Sequence, residues 1–226
     1  MKIEKLKNFI KKYYKLIIIF ICLLLTLEII YDLFEKEVML KDVLGYKYIS
    51  KYLINDTTLP IAKFITNFGS AWWLISLSII SLVLFWIFKN KLIGFFIVLN
   101  LAISGALNQL LKNIVQRPRP TEYRLIDESG YSFPSGHSMV SAAFYGLFIY
   151  LIFKNIKNRY VKCISITILS ILILLIGMSR IYLGVHYTSD VLAGFLISIS
   201  YLIIYTSIIN DYLEESKKED TKDKEE

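Results

Sequence analysis

Six long apolar runs alternate with polar connectors along the chain, near residues 16–34, 71–88, 92–111, 139–153, 163–178 and 191–209. About 20 helical residues cross the hydrocarbon layer at 1.5 Å per residue, so each run can span it once flanking Tyr, Phe and Ser are counted. Six such runs in 226 residues leave almost no polar surface for a soluble fold. The pattern therefore predicts an all-α fold, a polytopic bundle of six transmembrane helices forming one membrane domain over residues 1–213. Residues 214–226 are nearly all charged and read as a disordered tail. A lysine-rich start precedes the first run, as in a signal peptide, but no small-residue cleavage site follows it and Glu28, Tyr31 and Asp32 come next, so it reads as an uncleaved anchor.

The connectors differ in kind. Residues 34–70 are too polar to span, yet Val38, Leu40, Val43, Leu44, Tyr48, Ile49, Tyr52 and Leu53 recur at near-helical spacing. That suits a helix lying in the outer interface, and it suits an ordinary connecting loop equally well. Little beyond Lys89-Asn90-Lys91 joins the second and third runs, which predicts a tight helical hairpin. The connector from Lys112 to Ser138 holds three of the four prolines and a polar stretch over 121–132, and is expected to cover a site.

Composition adds direction. Lysines 2, 5, 7, 11, 12 and 15 put the N-terminus on the cytoplasmic side, because basic residues are retained there. An even number of spans returns the C-terminus to the same side, with Lys89, Lys91, Lys154, Lys157, Arg159 and Lys162. Lys112, Arg117, Arg119, Arg124 and Arg180 then fall on the outer side, against the trend, as expected if chemistry put them there. The net charge of +7 is thus a topology and site signal and no footprint of nucleic-acid binding. Cys22 and Cys163 sit in different apolar runs and read as packing residues.

The candidate chemistry is confined to that outer side. The chain has two histidines, and both lie where an apolar run meets a polar segment. His186 and Asp190 are four apart, so on a helix the carboxylate can hold one ring nitrogen, fix the tautomer and leave the other lone pair free for nucleophilic attack. Ser135-Gly136-His137-Ser138 precedes the fourth run, where a serine cap, a glycine and a helix N-terminus suit a phosphate. Arg119 and Arg180 offer forked donors for its oxygens, and Lys112 adds a compact charge. Each feature alone has an ordinary explanation, a helix cap, a turn or a basic side chain snorkelling to headgroups. All of them on one membrane face converge on an anion.

Together these segments, Lys112 with Arg119-Pro120, then Pro134-Ser135-Gly136-His137, then Ser179-Arg180 with His186 and Asp190, resemble the type 2 phosphatidic acid phosphatase (PAP2) superfamily at every motif position. The layout looks like the bacterial membrane branch rather than the soluble vanadium haloperoxidases that share the site. The resemblance implies a PAP2/haloperoxidase-like helical core and a lipid phosphate or diphosphate phosphatase of the cell membrane. It implies His186 as nucleophile forming a phosphohistidine, Asp190 orienting it, and His137 as acid to the leaving oxygen. Lys112, Arg119, Ser135, Gly136 and Arg180 would bind the phosphate, and no metal or cofactor is expected. Undecaprenyl diphosphate, phosphatidylglycerophosphate and phosphatidic acid all fit such a site. Five cationic residues exceed what one phosphate requires, which leans towards the diphosphate, although Arg117 and Arg124 could simply meet headgroups. A lipid phosphotransferase using the same site is the nearest alternative, and a six-span transporter is a more distant one.

Overall fold

The computed structural model describes residues 2–36 and 38–222, and the side chains of residues 12–36 and 38–212. Its helices are α1 (Lys2–Glu35), α2 (Leu40–Leu53), α3 (Thr58–Asn67), α4 (Ala71–Ile87), α5 (Lys91–Val115), α6 (Gly136–Asn155), α7 (Arg159–Tyr182) and α8 (Thr188–Lys222), and the described residues contain no strand. Five helices, α1, α5, α6, α7 and α8, are each long and apolar enough to cross a membrane. Helices α3 and α4 qualify only as a pair, bent by 46°, which makes a sixth crossing if the pair is counted as one span. The protein is a multi-pass membrane protein, and the run expected over 71–88 is helix α4, with α3 set before it across the bend.

The bend is held by polar atoms. Ser70 caps α4 by accepting a hydrogen bond from Trp73 N at 3.4 Å. The Tyr145 hydroxyl of α6 donates to the Phe68 carbonyl at 2.8 Å and accepts from Trp73 Nε1 at 3.1 Å, so both sides of the break are tied to one residue. Without water, carbonyls freed by a break must find donors inside the protein.

Helix α6 is central and packs against α5, α7 and α8. Phe144, Leu147 and Leu151 meet Leu74, Ile97, Ile176 and Ile209 in the main core. Apolar burial gives little preference for protein over lipid inside a bilayer, so polar contacts between helices add specificity. Asn100 of α5 donates to the Ala143 carbonyl at 3.0 Å, and Ser198 of α8 donates to the Met139 carbonyl at 2.6 Å. On the outside, Leu16, Phe20, Leu27, Trp72 and Trp86 stay exposed, as suits contact with lipid.

The segment left open between helix and loop contains α2, and its buried Ile49 packs against Ile181, Leu183, Val185 and Val191 of the α7–α8 corner. Gly45 permits this approach, since a Cβ there would lie 2.1 Å from Thr188 Oγ1. Two element ends differ from expectation. Helix α5 runs one turn past residue 111 to Val115, where Gln116 closes it in the left-handed conformation, so Lys112 belongs to the last turn of a helix. Helix α8 continues through residues 214–222, the segment expected as a disordered tail, and the last four residues lie outside those described.

Connections sort to the two ends of the bundle. At one end, Lys15 donates to Ser207 at 3.0 Å, Tyr205 to the Phe96 carbonyl at 2.5 Å and Tyr150 to Asn210 at 3.1 Å. At the other end, α2, the loop over 116–135 and the α7–α8 corner come together through the bonds from Leu125 N to the Leu183 carbonyl (3.0 Å) and from Ser135 N to the Asp190 carbonyl (3.1 Å).

Gly184 turns this corner with φ of 66°, and a Cβ on it would lie 2.0 Å from the Tyr123 carbonyl oxygen. Left-handed backbone alone costs a non-glycine residue about 1–2 kcal/mol. Gly184→Ala should therefore lower the thermal midpoint in detergent by several degrees, whereas Gly105→Ala, with nothing within 4 Å of its Cβ position, should not. Equal midpoints for the two variants would contradict the described corner.

Candidate active site

The α7–α8 corner delivers His186 just before α8 and Asp190 in its first turn. Asp190 Oδ2 accepts from Tyr187 N at 2.9 Å and from the Ser132 hydroxyl, and lies 3.4 Å from His186 Nδ1. Ser132 Oγ is 3.3 Å from the same nitrogen. On the far side of the ring, Arg119 Nη1 is 3.0 Å from His186 Nε2. A guanidinium can only donate, so Nε2 carries the lone pair and Nδ1 carries the proton, facing Ser132 and Asp190. Burial pushes the His186 pKa down to about 4, against the opposing pull of Asp190, so the ring is neutral at neutral pH.

Arg119 is held by loop carbonyls at 3.0 Å, donating through Nε to Gly130, through Nη1 to Val185 and through Nη2 to Ser129. Arg180, 1% exposed, donates through Nη1 to Thr66 of α3 at 2.8 Å and through Nη2 to Glu128, while its Nε is buried without a partner. Glu128 Oε1 is also 4.0 Å from Arg119 Nη2. Burial opposes ionisation of Glu128, but the Arg180 and Arg119 charges prevail and hold its carboxyl below the usual range.

The remaining sequence-predicted residues border this pair. Lys112 donates to the Tyr131 carbonyl. Ser135 is buried and spends its hydroxyl on the cap of α6, accepting from Ser138 N at 3.4 Å and Ser138 Oγ at 2.9 Å. Gly136 lets α6 abut α5, because a Cβ there would lie 3.0 Å from Asn108 Oδ1 and 3.9 Å from Lys112 Cε. His137 lies against Gly69 at the α3–α4 break, and its electrostatic neighbours are Arg180, His186, Arg119 and Lys112. The two histidines, Asp190, Arg119, Arg180 and Lys112 thus share one charged cluster.

Arg117 belongs elsewhere. Its Nη1 donates to Asp190 Oδ1 at 2.7 Å and Ser189 Oγ at 2.8 Å, its Nη2 to Asp42 Oδ2 at 2.7 Å, and its guanidinium lies 3.8 Å from the centre of the Tyr187 ring. Asp42 in turn accepts from Ser189 N at 2.8 Å. Arg117 therefore meets neither phosphate nor headgroups, contrary to expectation. The exposed Arg124 donates to the Pro120 carbonyl at 2.5 Å. Asp42, Ser132, Ser189 and Glu128 were not picked out by the sequence. A cavity of about 680 Å³ reaches His186 from the α2 side, between Tyr46 and Lys47 of α2 and Tyr123 of the loop.

Residues 93–213 match the model of the PAP2 superfamily, more than half of the 226-residue chain. The chain is 35% identical to phosphatidylglycerophosphatase B of Bacillus subtilis (strain 168) over 133 residues, 58% of this chain and 65% of the relative. It is 30% identical to a lipid A 1-phosphatase of Rhizobium etli over 163 residues, 59% of this chain and 64% of the relative. It thus spans just under two thirds of the length of these relatives. Its fold is similar to the crystal structure of a transmembrane PAP2 type phosphatidylglycerolphosphate phosphatase from Bacillus subtilis, with a TM-score of 0.73 and 27% identity over 88% of this chain and 97% of that one.

With two histidines in the chain, ¹⁵N-histidine spectra resolve each ring. His186 should remain the neutral, Nδ1-protonated tautomer on lowering the pH through 6 and gain its second proton only towards about 4. Since the unfolded ring titrates near 6.5, its share of folding stability is full above that value and is lost as pH falls towards about 4. A doubly protonated His186 at pH 6 would contradict this geometry.

Proposed function

Because the chain belongs to the PAP2 superfamily, we propose that it is a metal-independent lipid phosphatase acting through a phosphohistidine on His186. One observation carries the reading: a neutral imidazole whose Nε2 lone pair is fixed beside Arg119 by a buried carboxylate on Nδ1. In the proposed reaction Nε2 attacks phosphorus and the bond to the lipid oxygen breaks. That oxygen takes its proton from the imidazolium form of His137, which the negative charge of the bound phosphate supports against the surrounding cations, and Asp190 stabilises the charge left on the substituted ring. Water then attacks the phosphohistidine, His137 takes a proton from it, inorganic phosphate leaves and His186 regains its lone pair. Lys112, Arg119 and Arg180 neutralise the equatorial oxygens as charge gathers there.

The favoured substrates are glycerolipid phosphomonoesters, phosphatidylglycerophosphate and phosphatidic acid, ahead of undecaprenyl diphosphate. The lean towards a diphosphate rested on surplus positive charge, and Arg117 and Arg124 are occupied elsewhere. The name of the Bacillus subtilis relative supports the same order. The lysine distribution supports cytoplasmic chain ends and a site on the outer face.

Purified protein in detergent with EDTA should release phosphate from these lipids, and His186→Ala and His137→Ala should each lose at least about 10²-fold in kcat, the lower range for general acid–base help. Near-normal turnover by either folded variant removes the mechanism, and activity lost in chelator but restored by Mg²⁺ removes its metal independence. kcat/KM for phosphatidylglycerophosphate should exceed that for undecaprenyl diphosphate by about tenfold or more, roughly 1.4 kcal/mol in transition-state binding. The reverse ratio reassigns the substrate.

Sidedness is tested separately. Single cysteines over residues 121–127, in a variant lacking Cys22 and Cys163, should react with an impermeant thiol reagent on intact cells or spheroplasts. Labelling only after membrane rupture inverts the topology.

A further inference from the structure

We propose that Glu128 is a displaceable internal anion that sets an entry cost which a doubly charged phosphomonoester can offset and a singly charged phosphodiester of the surrounding bilayer cannot, an inference that rests on the phosphatase reading above. Arg119 and Arg180 have side chains 5% and 1% exposed, so neither guanidinium keeps its hydration, and two such cations together need a counter-ion. Glu128 supplies one, bonding Arg180 and lying 4.0 Å from Arg119, where a bound phosphate would put its oxygens.

Three features make this carboxylate displaceable where others in the molecule are fixed. It sits on the loop rather than on a spanning helix, its side chain is 30% exposed, and it holds Arg119 only at 4.0 Å. Asp42 and Asp190, by contrast, have side chains 0% exposed and are each locked by bonds from several elements. Glu128 can leave towards solvent without unpacking a helix.

Charge then decides what can replace it. Lys112, Arg119 and Arg180 present three positive charges and Glu128 one negative, so the resting site retains an excess of two. A phosphomonoester dianion that expels Glu128 leaves an excess of one, and its three terminal oxygens can also serve the unpartnered Arg180 Nε. A phosphodiester merely exchanges one monoanion for another, and loses its own hydration in doing so. The second charge of the monoester is what tips the exchange, and a membrane full of diester headgroups leaves the site unoccupied.

The test compares wild type with Glu128→Gln, which keeps the shape and removes the charge. Inorganic phosphate binding is measured by calorimetry, and inhibition of phosphomonoester hydrolysis by short-chain phosphatidylglycerol is measured in mixed micelles. In Glu128→Gln phosphate should bind at least about tenfold tighter, the factor that 1.4 kcal/mol represents. The diester, a weak inhibitor of wild type, should gain about as much, and kcat should fall as phosphate leaves more slowly. Glu128→Asp, with a shorter reach, should move both constants the same way by less, and it decides the matter if the glutamine variant does not fold. Unchanged or weaker phosphate binding in a folded variant would mean that Glu128 only positions Arg180, and would overturn the proposal. Wild type that binds phosphate but hydrolyses no lipid phosphomonoester sinks the phosphatase reading instead, while the binding comparison still reads the exchange.

Discussion

A single carboxylate, Asp190, sets the terms for the end of the bundle that holds both histidines. Its side chain is fully buried, and removing an ion from water without compensation costs several kcal/mol. One oxygen receives Arg117, and the other receives Ser132, Tyr187 N and His186. Arg117 is then itself a buried cation with more donors than Asp190 can accept, so Asp42 of α2 enters as the second acid. Asp42 also holds Ser189 N at the start of α8. One buried charge thus fixes the loop, the histidine tautomer, the docking of α2 and the beginning of α8.

Under the proposed reaction the same geometry would give Arg119 two tasks that cannot be performed together. At rest its Nη1 faces the lone pair of His186 Nε2, which keeps a neutral imidazole oriented. In the proposed reaction, a phosphate that takes this donor would also uncover the nitrogen that attacks it, so the lone pair would be released by the group it is meant to react with.

How far this was legible in the sequence depends on whether a residue acts locally or across the fold. The His186–Asp190 spacing reads as a helical one, but His186 lies just before α8, and the pair meets across the start of that helix at 3.4 Å. The long apolar helices followed from apolar runs, but the bend between α3 and α4 did not, because Phe68-Gly69-Ser70 is a break only when Tyr145 is there to satisfy it. Arg117 and Arg119 each precede a proline, and nothing local tells them apart. Their opposite fates are decided by Asp42, a residue 75 positions from Arg117 in a segment that reads as amphipathic surface. Glu128 looked like ordinary loop polarity for the same reason, since its partners lie on other elements. The tail over 214–222 departs in the other direction, its charged composition having suggested disorder where the backbone is helical.

The Asp42–Arg117–Asp190 triad also constrains how such a chain can change over generations. Losing one member leaves a buried charge uncompensated, at about 3–5 kcal/mol, whereas exchanging a whole buried ion set for apolar residues can be neutral. Asp190 cannot join that exchange while it holds His186, and without Arg117 it would itself be the uncompensated charge. Descent should therefore hold Arg117 and, behind it, Asp42 in place together, linking a peripheral helix to the motif loop across distant stretches of sequence.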